Sequence, residues 1–247
     1  MAKPVNNTPS LVKDPYVKTH FKTQKELDDF VKCCDPIDGY KYFLSNFFMI
    51  QHPTRGAIVY HPYGYQRKLT DIYHNYVHSV NLLPRQSGKT TTAAGYLLWF
   101  AMFQPDSTIL IAAHKYTGAQ EIMQRIRYAY ENCPDHIKAG VTTYNKGSLE
   151  FENGSRIVSA TTTETTGRGM SITLLYLDEF AFVPPNIATA FWAAITPTLA
   201  TGGKSIITST PNSDEDQFAL IWKGANKTED EFGNKTDIGV NGYKAFT

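Results

Sequence analysis

The chain has 247 residues, with 24 Lys plus Arg against 23 Asp plus Glu and a formal net charge of +1. That length suits one α/β domain with a sizeable core, and the charge balance excludes nucleic-acid binding driven by overall electrostatics, so any such contact is local. Three cysteines make no disulfide framework and fit a reduced cytosolic setting, and neither a signal-peptide pattern nor an apolar run of the ~18 residues that span a bilayer is present.

Residues 1–22 are polar, carry Pro4, Pro9 and Pro15, and read as an extended arm. Thr23 and Glu26 have the spacing of a capping box, which opens a helix running to about Cys34, where Asp35 and Pro36 stop it. The aromatic-rich stretch 40–48 reads as packing that joins a small N-terminal helical subdomain (1–57) to a core (58–223). From about residue 58 strands and helices alternate. The run 80–83 predicts a strand, 92–100 a helix, 107–113 a buried strand, and 118–130 a helix with Ala119, Ile122 and Ile126 on one face. Cys133 and His136 have ligand-like spacing but lack a second pair, and read as a helix-end turn. Residues 148–151 and 156–160 predict a hairpin about an Asn153-Gly154 turn. A strand at 173–178, a helix near 187–195 and a last strand at 204–208 follow. The polar stretch from 224 reads as a linker. Repeated β-α units predict a mostly parallel sheet flanked by helices on both faces.

The chemistry concentrates at two points. Pro84, Arg85, Gln86, Ser87, Gly88, Lys89, Thr90 and Thr91 lie between the strand ending at Leu83 and the following helix, the context of a phosphate-binding loop. Backbone N–H groups and the helix dipole there favour phosphate. Lys89 is expected to reach the β- and γ-phosphates of ATP, and the Thr90 hydroxyl to bind Mg²⁺. Leu83 stands where the common pattern has its first glycine, and an ordinary strand-turn-helix with a surface lysine is the competing reading. The second point is the apolar strand that ends in Asp178 and Glu179. A buried parallel strand delivers such an aspartate to the Mg²⁺ shell, while the adjacent glutamate polarises the attacking water. ATP hydrolysis is the function that joins the two points.

Three further groups fit a nucleotide-driven motor. Tyr65 and Gln66 precede the loop and are expected at the adenine, the aromatic by stacking and the amide by paired hydrogen bonds. Thr208, Ser209 and Thr210, followed by Pro211 and Asn212, end a strand where a parallel sheet presents its ligand edge, and can sense the γ-phosphate. Arg168 sits between Gly167 and Gly169 on a loop, with a guanidinium suited to transition-state charge on phosphate. Taken alone, each has a plain alternative: a polar helix start, a capped turn, an exposed loop arginine.

Together these residues resemble the ATPase domain of the large terminase subunit of tailed bacteriophages, of the T-even-like myovirus type. The matching pieces run in family order over roughly 60–215: Tyr65-Gln66, Pro84 to Thr91, Ala113-His114-Lys115, Asn145 to Ser148, Gly167-Arg168-Gly169, Leu175 to Glu179 with Ala181 to Pro184, and Thr208 to Asn212. The resemblance implies a P-loop NTPase fold of the additional-strand catalytic-glutamate type. It implies ATP and Mg²⁺ as ligands, and hydrolysis that drives double-stranded DNA through a portal into a procapsid. It makes Arg85 a cis arginine on the phosphates, Arg168 an arginine reaching a neighbouring subunit's site, and Thr208, Ser209 and Thr210 a coupling motif. The partners it implies are double-stranded DNA, the portal protein and the small terminase subunit, with a homo-oligomeric ring on the procapsid and a monomer in dilute solution. No membrane partner is expected, and the setting is the host cytoplasm, transiently at the portal vertex. The sequence ends at Thr247, about where the family's nuclease domain begins, so 224–247 is expected to lead towards that domain and no nuclease activity is expected of these residues. A superfamily-2-like helicase, a small-molecule P-loop kinase and a slow-turnover assembly module are the alternatives.

Overall fold

The computed structural model describes residues 21–200, 202–229 and 233–247; the proposed arm at 1–22 lies almost wholly outside them. In chain order the elements are α1 (Gln24–Cys34), α2 (Gly39–Asn46), β1 (Met49–His52), β2 (Gly56–Val59), α3 (Gly64–Asn75), β3 (His78–Leu82), α4 (Lys89–Phe103), β4 (Thr108–Ala113) and α5 (Tyr116–Asn132). Then come β5 (Val141–Tyr144), β6 (Ser148–Phe151), β7 (Arg156–Thr161), β8 (Leu174–Asp178), a 3₁₀ turn (Phe180–Phe182), α6 (Pro185–Leu199), β9 (Lys204–Ser209), α7 (Gln217–Ala225) and β10 (Lys244–Phe246).

Eight strands form one sheet in the order β10-β3-β9-β8-β4-β7-β6-β5. From β10 to β7 every pairing is parallel, and β7-β6-β5 run antiparallel. The order matters for chemistry: β9 is inserted between β3, which leads into the phosphate loop, and β8, which ends in Asp178. This is the additional strand of the expected NTPase class. Parallel strands need both faces covered, and the sequence of β8 (Leu-Leu-Tyr-Leu-Asp) is buried at every position. Strand alternation divides its apolar side chains: Leu174 and Tyr176 join the core under α4 and α5, while Leu175 and Leu177 join the core under α6 and α7.

Helix α4 is the centre of the first of these cores. Its residues are buried around nearly the whole circumference, as expected of a helix apolar on all sides. Gly95 makes this possible, because a Cβ there would lie 2.5 Å from Leu44 Cδ2 and 2.9 Å from two ring atoms of Phe48. Cys33, Tyr40, Phe43 and Phe48 belong to the same buried cluster as Leu97 and Trp99, so residues 21–57 share the core of the sheet's helical layer. The Trp99 indole donates to the Cys33 carbonyl at 2.9 Å, which ties the end of α1 to α4.

Helix α1 has the capping box read from Thr23 and Glu26, and the β6-β7 hairpin turns at Gly154 with φ +81°. The stretch expected as a linker from 224 is corrected at its end. Lys244–Phe246 pairs in parallel with β3 and completes the sheet edge, with Tyr243 buried beneath it. The physical reason is that a three-residue edge strand carries no periodicity of its own and is recruited only by the open edge of β3. Helix α7 is a further element that the sequence pattern does not announce. Asp216 caps it by accepting from the Ala219 amide at 2.7 Å, and Phe218, Ile221 and Ala225 bury one face.

Lys204, at the start of β9, closes the other end of helix α3. Its ammonium donates to the carbonyls of Tyr73 (2.6 Å), His74 (2.8 Å) and Tyr76 (2.7 Å), the groups a helix C-terminus leaves without partners. The positive charge also opposes the negative end of the helix dipole. Replacing it by Met keeps the length and removes the donors. Lys204→Met is expected to lower the unfolding free energy by about 2–3 kcal/mol in urea denaturation, and an unchanged midpoint would show that these carbonyls do not depend on the ammonium.

Candidate active site

Parallel register assembles the site. Asp178 pairs with Thr208 on one side and Ala113 on the other, and Leu82 pairs with Ser209. Four strands therefore end level, and their following loops meet at the carboxyl edge of the sheet. The segment after β3 turns sharply through Gln86 (φ 60°) and Gly88 (φ 71°), and α4 begins at Lys89. Gly88 is required here twice over: its φ lies in the left-handed region, and a Cβ would sit 2.7 Å from Gln66 Nε2.

A cleft of about 470 Å³ opens over this turn, lined among others by Arg85, Lys89, Thr90, Arg125, Glu179 and Thr210. Lys89 is 6% exposed, and its Nζ lies 2.8 Å from Glu179 Oε1. The other carboxylate oxygen, Oε2, accepts from the Thr210 amide and hydroxyl, both at 3.0 Å, and from Ser209 Oγ at 3.3 Å. Burial works to raise the Glu179 pKa, but Lys89 and Thr210 together outweigh it and hold the carboxyl below its ordinary value. Glu179 also takes φ 50°, a left-handed conformation costing a non-glycine residue on the order of 1 kcal/mol, which the Lys89 and Thr210 contacts offset.

Asp178, next door, behaves in the opposite way. Burial first, and the negative charge of Glu179 second, push its carboxyl up to about 6. The Tyr176 hydroxyl donates to Asp178 Oδ1 at 3.1 Å, which only partly compensates. Thr90 and Glu179 line the cleft, while Asp178 is buried next to Glu179 and is not among the lining residues; these hard oxygens fit a small divalent cation such as Mg²⁺. Ser87 Oγ and His114 Nδ1 are buried and have no hydrogen-bond partner among the described residues. Oriented polar atoms of this kind at a helix N-terminus fit a phosphate chain.

The remaining expectations divide. Thr208, Ser209 and Thr210 are buried directly behind Glu179, and Ser209 Oγ also accepts from the Ala181 amide at 3.2 Å. Arg85 is exposed on the loop and lines the cleft. Arg168 is exposed in the loop between β7 and β8, and is not among the residues lining its own cleft. Tyr65 and Gln66, expected at the adenine, both contact the phosphate loop. Gln66 Nε2 donates to the Ser87 carbonyl at 3.0 Å, while its Oε1 accepts from the Tyr63 amide at 2.9 Å. The Tyr65 hydroxyl donates to the same Ser87 carbonyl at 2.6 Å. The amide nitrogen and the Tyr65 hydroxyl tie the phosphate loop to α3, while the amide oxygen caps the start of α3 itself, and neither residue is among those lining the cleft. Cys133 directly follows the end of α5, and among the described residues no group of three or more His, Cys, Asp or Glu is placed to hold a metal.

Two cleft residues carry no role that the sequence alone assigns. Arg125, on α5, places Nη1 3.5 Å from Thr91 Oγ1, and its charge reaches Asp178. His114 follows β4 and lines the same cleft. Arg125 lies 34 positions beyond Thr91 in sequence, with no motif around it, so only the packing of α5 on α4 reveals it. His114 has a usable signal, since it directly follows a buried strand that pairs with β8.

Comparison with known proteins agrees with this geometry. The ATPase domain of the Thermus phage P74-26 large terminase superposes with a TM-score of 0.60 at 22% identity, over 76% of this chain and 80% of that one. The large terminase of a thermophilic bacteriophage, in complex with ATP-gamma-S, gives 0.52 at 12% identity, over 74% of this chain and 44% of that one. The UvsW helicase of bacteriophage T4 gives 0.52 at 9% identity, over 85% of this chain and 66% of the helicase. At these identities the likeness establishes the fold that the three share. The family rests on the sequence itself. Residues 80–244 match the family model described as terminase large subunit, T4likevirus-type, N-terminal, which reaches from β3 through the phosphate loop and the Asp178-Glu179 strand to β10. The chain belongs to the N-terminal family of T4-like large terminase subunits.

Proposed function

We propose that this chain hydrolyses ATP in the Lys89–Glu179 cleft and that hydrolysis drives double-stranded DNA into a procapsid. The observation that carries the reading is the double tether of Glu179, with one oxygen on Lys89 and the other on Thr210. A phosphate chain seated on the loop N–H groups competes for the Lys89 ammonium. Glu179 Oε1 then loses its partner and becomes the acceptor that orients a water molecule, while Thr210 keeps the carboxylate in place. The water oxygen bonds to the γ-phosphorus, the bond from that phosphorus to the bridging oxygen breaks, and the water proton passes to Glu179. Thr90 and Asp178 would hold Mg²⁺, which when bound would supply charge neutralisation to the phosphates. Arg85 adds positive charge from the same loop. Arg168, exposed on the outer loop, serves a neighbouring subunit in a ring assembled on the portal protein, with the small terminase subunit as a further partner. Ser209 and Thr210 carry the state of the carboxylate into β9 and towards α7, a route for coupling chemistry to movement of DNA. The ATP-gamma-S complex of the thermophilic phage terminase supports the choice of nucleotide.

Glu179→Gln is expected to bind ATP as the wild type does and to lose roughly 10²–10⁴ in turnover, because only the proton-accepting group is removed. Wild-type hydrolysis by a variant that binds ATP normally in calorimetry would return Glu179 to a structural role. Asp178→Ala is expected to differ by weakening Mg²⁺-dependent ATP binding itself, and equal affinity of variant and wild type for Mg·ATP would remove Asp178 from the metal shell.

The two arginines separate by concentration. Loss of Arg85 slows dilute and assembled protein alike, whereas Arg168→Ala leaves the dilute basal rate near wild type and depresses the assembled one, where such arginines contribute about 10³–10⁵ in rate. Mixing Arg168→Ala with Glu179→Gln pairs an intact carboxylate site with an intact arginine, so activity returns at some interfaces. A co-assembled mixture that stays inactive would count against action between subunits.

A further inference from the structure

Strand β8 carries one polar side chain ahead of its terminal aspartate. Tyr176 stands two positions before Asp178, so the two share the face of the sheet that lies under α4, while Leu177 between them joins the opposite core. The Tyr176 hydroxyl donates to Asp178 Oδ1 at 3.1 Å, and no other hydrogen bond reaches that carboxylate among the described residues. Resting on the reading of Asp178 as a ligand of Mg²⁺, we propose that Tyr176 is the positioning residue of the metal site. Its hydroxyl fixes one oxygen of Asp178, so that the carboxylate is presented to the cation in a single orientation.

Packing makes the donor rigid. Tyr176 is fully buried, and Ile111 on β4 and Ile206 on β9 stand in register beside it. With the ring held there, the hydroxyl is placed by the core, independently of the loops that line the cleft. A phenylalanine would fill nearly the same space, and a buried hydroxyl left without a partner is destabilising. Asp178 supplies that partner.

The other neighbours of Asp178 do not take this role. Ala113 and Thr208 flank it in register on β4 and β9. Alanine has no polar side chain, and Thr208 Oγ1 is buried without a hydrogen-bond partner among the described residues. Glu179, next along the chain, is an acceptor and offers no donor, and the Lys89 ammonium lies on Glu179 Oε1 at 2.8 Å. Orientation of the metal aspartate therefore falls to one phenol. Groups that hold a ligand from behind in this way typically change metal affinity by about 10- to 100-fold.

The test compares the wild type with Tyr176→Phe, Tyr73→Phe and Asp178→Ala, each checked for native circular dichroism. Mn²⁺ affinity of the complex with ATP-gamma-S is followed by EPR, and metal-free ATP binding by calorimetry in EDTA. Tyr176→Phe is expected to weaken Mn²⁺ at least about tenfold while leaving metal-free ATP within about twofold. Tyr73→Phe removes a hydroxyl that is equally buried but has no hydrogen-bond partner among the described residues, and is expected to keep wild-type Mn²⁺ affinity. Unchanged Mn²⁺ binding by Tyr176→Phe would overturn the assignment. So would an equal loss in Tyr73→Phe, which would make the effect a general loosening of the core, or an equal fall in metal-free ATP affinity, which would put the hydroxyl in the packing of the phosphate loop. If Asp178→Ala binds Mn²⁺ as the wild type does, Asp178 lies outside the metal shell and the role of Tyr176 falls with it, while metal-free binding still reports on the ATP site.

Discussion

Glu179 has one carboxylate, and its two oxygens are claimed by two different parts of the chain. Lys89, from the first turn of α4, takes Oε1, and the end of β9 takes Oε2 through the Thr210 amide and hydroxyl. Every other feature of the cleft depends on this bridge. It holds a left-handed residue in place at the end of β8, and it keeps the Glu179 carboxyl ionised while the adjacent Asp178 is pushed up. Two neighbouring carboxylates thus have different properties because one is tethered to a cation and the other is buried without one.

The bridge is possible only because β9 lies between β3 and β8. Were β3 and β8 direct neighbours, the segment at 208–210 could not stand behind Glu179. The registers Leu82 to Ser209 and Asp178 to Thr208 make the three strands end level, and the loops then meet without any long connection. The same strand reaches the other end of the site's scaffold. Lys204 at its start caps α3, and Gln66 at the opposite end of α3 grips the Ser87 carbonyl of the phosphate loop. One strand therefore touches the Glu179 carboxylate at its carboxyl end and, through a single helix, the phosphate loop from its amino end. A movement of β9 relative to β8 would alter both.

The helical layer packs tightly behind the phosphate loop. Helix α4 is packed on all sides, with α2 drawn close at Gly95 and the aromatic set Tyr40, Tyr96 and Trp99 in mutual edge contact or tilted packing. The loop residues that face solvent, Arg85 and Gln86, are thereby mounted on an element that cannot shift without disrupting the core. Arg168 has the opposite mounting, on an exposed loop between two positive-φ glycines.

The elements legible in the amino-acid sequence are those whose information is local. The phosphate loop, the Asp178-Glu179 strand end, the capping box of α1 and the Asn153-Gly154 hairpin are each written in contiguous residues, because loop chemistry, strand burial and turn geometry are set by near neighbours. The terminase motifs are legible for the same reason. The hydrogen bond from Gln66 to the Ser87 carbonyl is visible only in the folded chain, since it joins residues 21 positions apart. Packing of α5 beside α4 likewise brings Arg125 to the cleft. The end of the polar tail becomes an edge strand because the pairing partner that makes three residues a strand is β3, more than 160 positions earlier. Such contacts depend on register and crossing geometry between distant segments, which no window of neighbouring residues encodes.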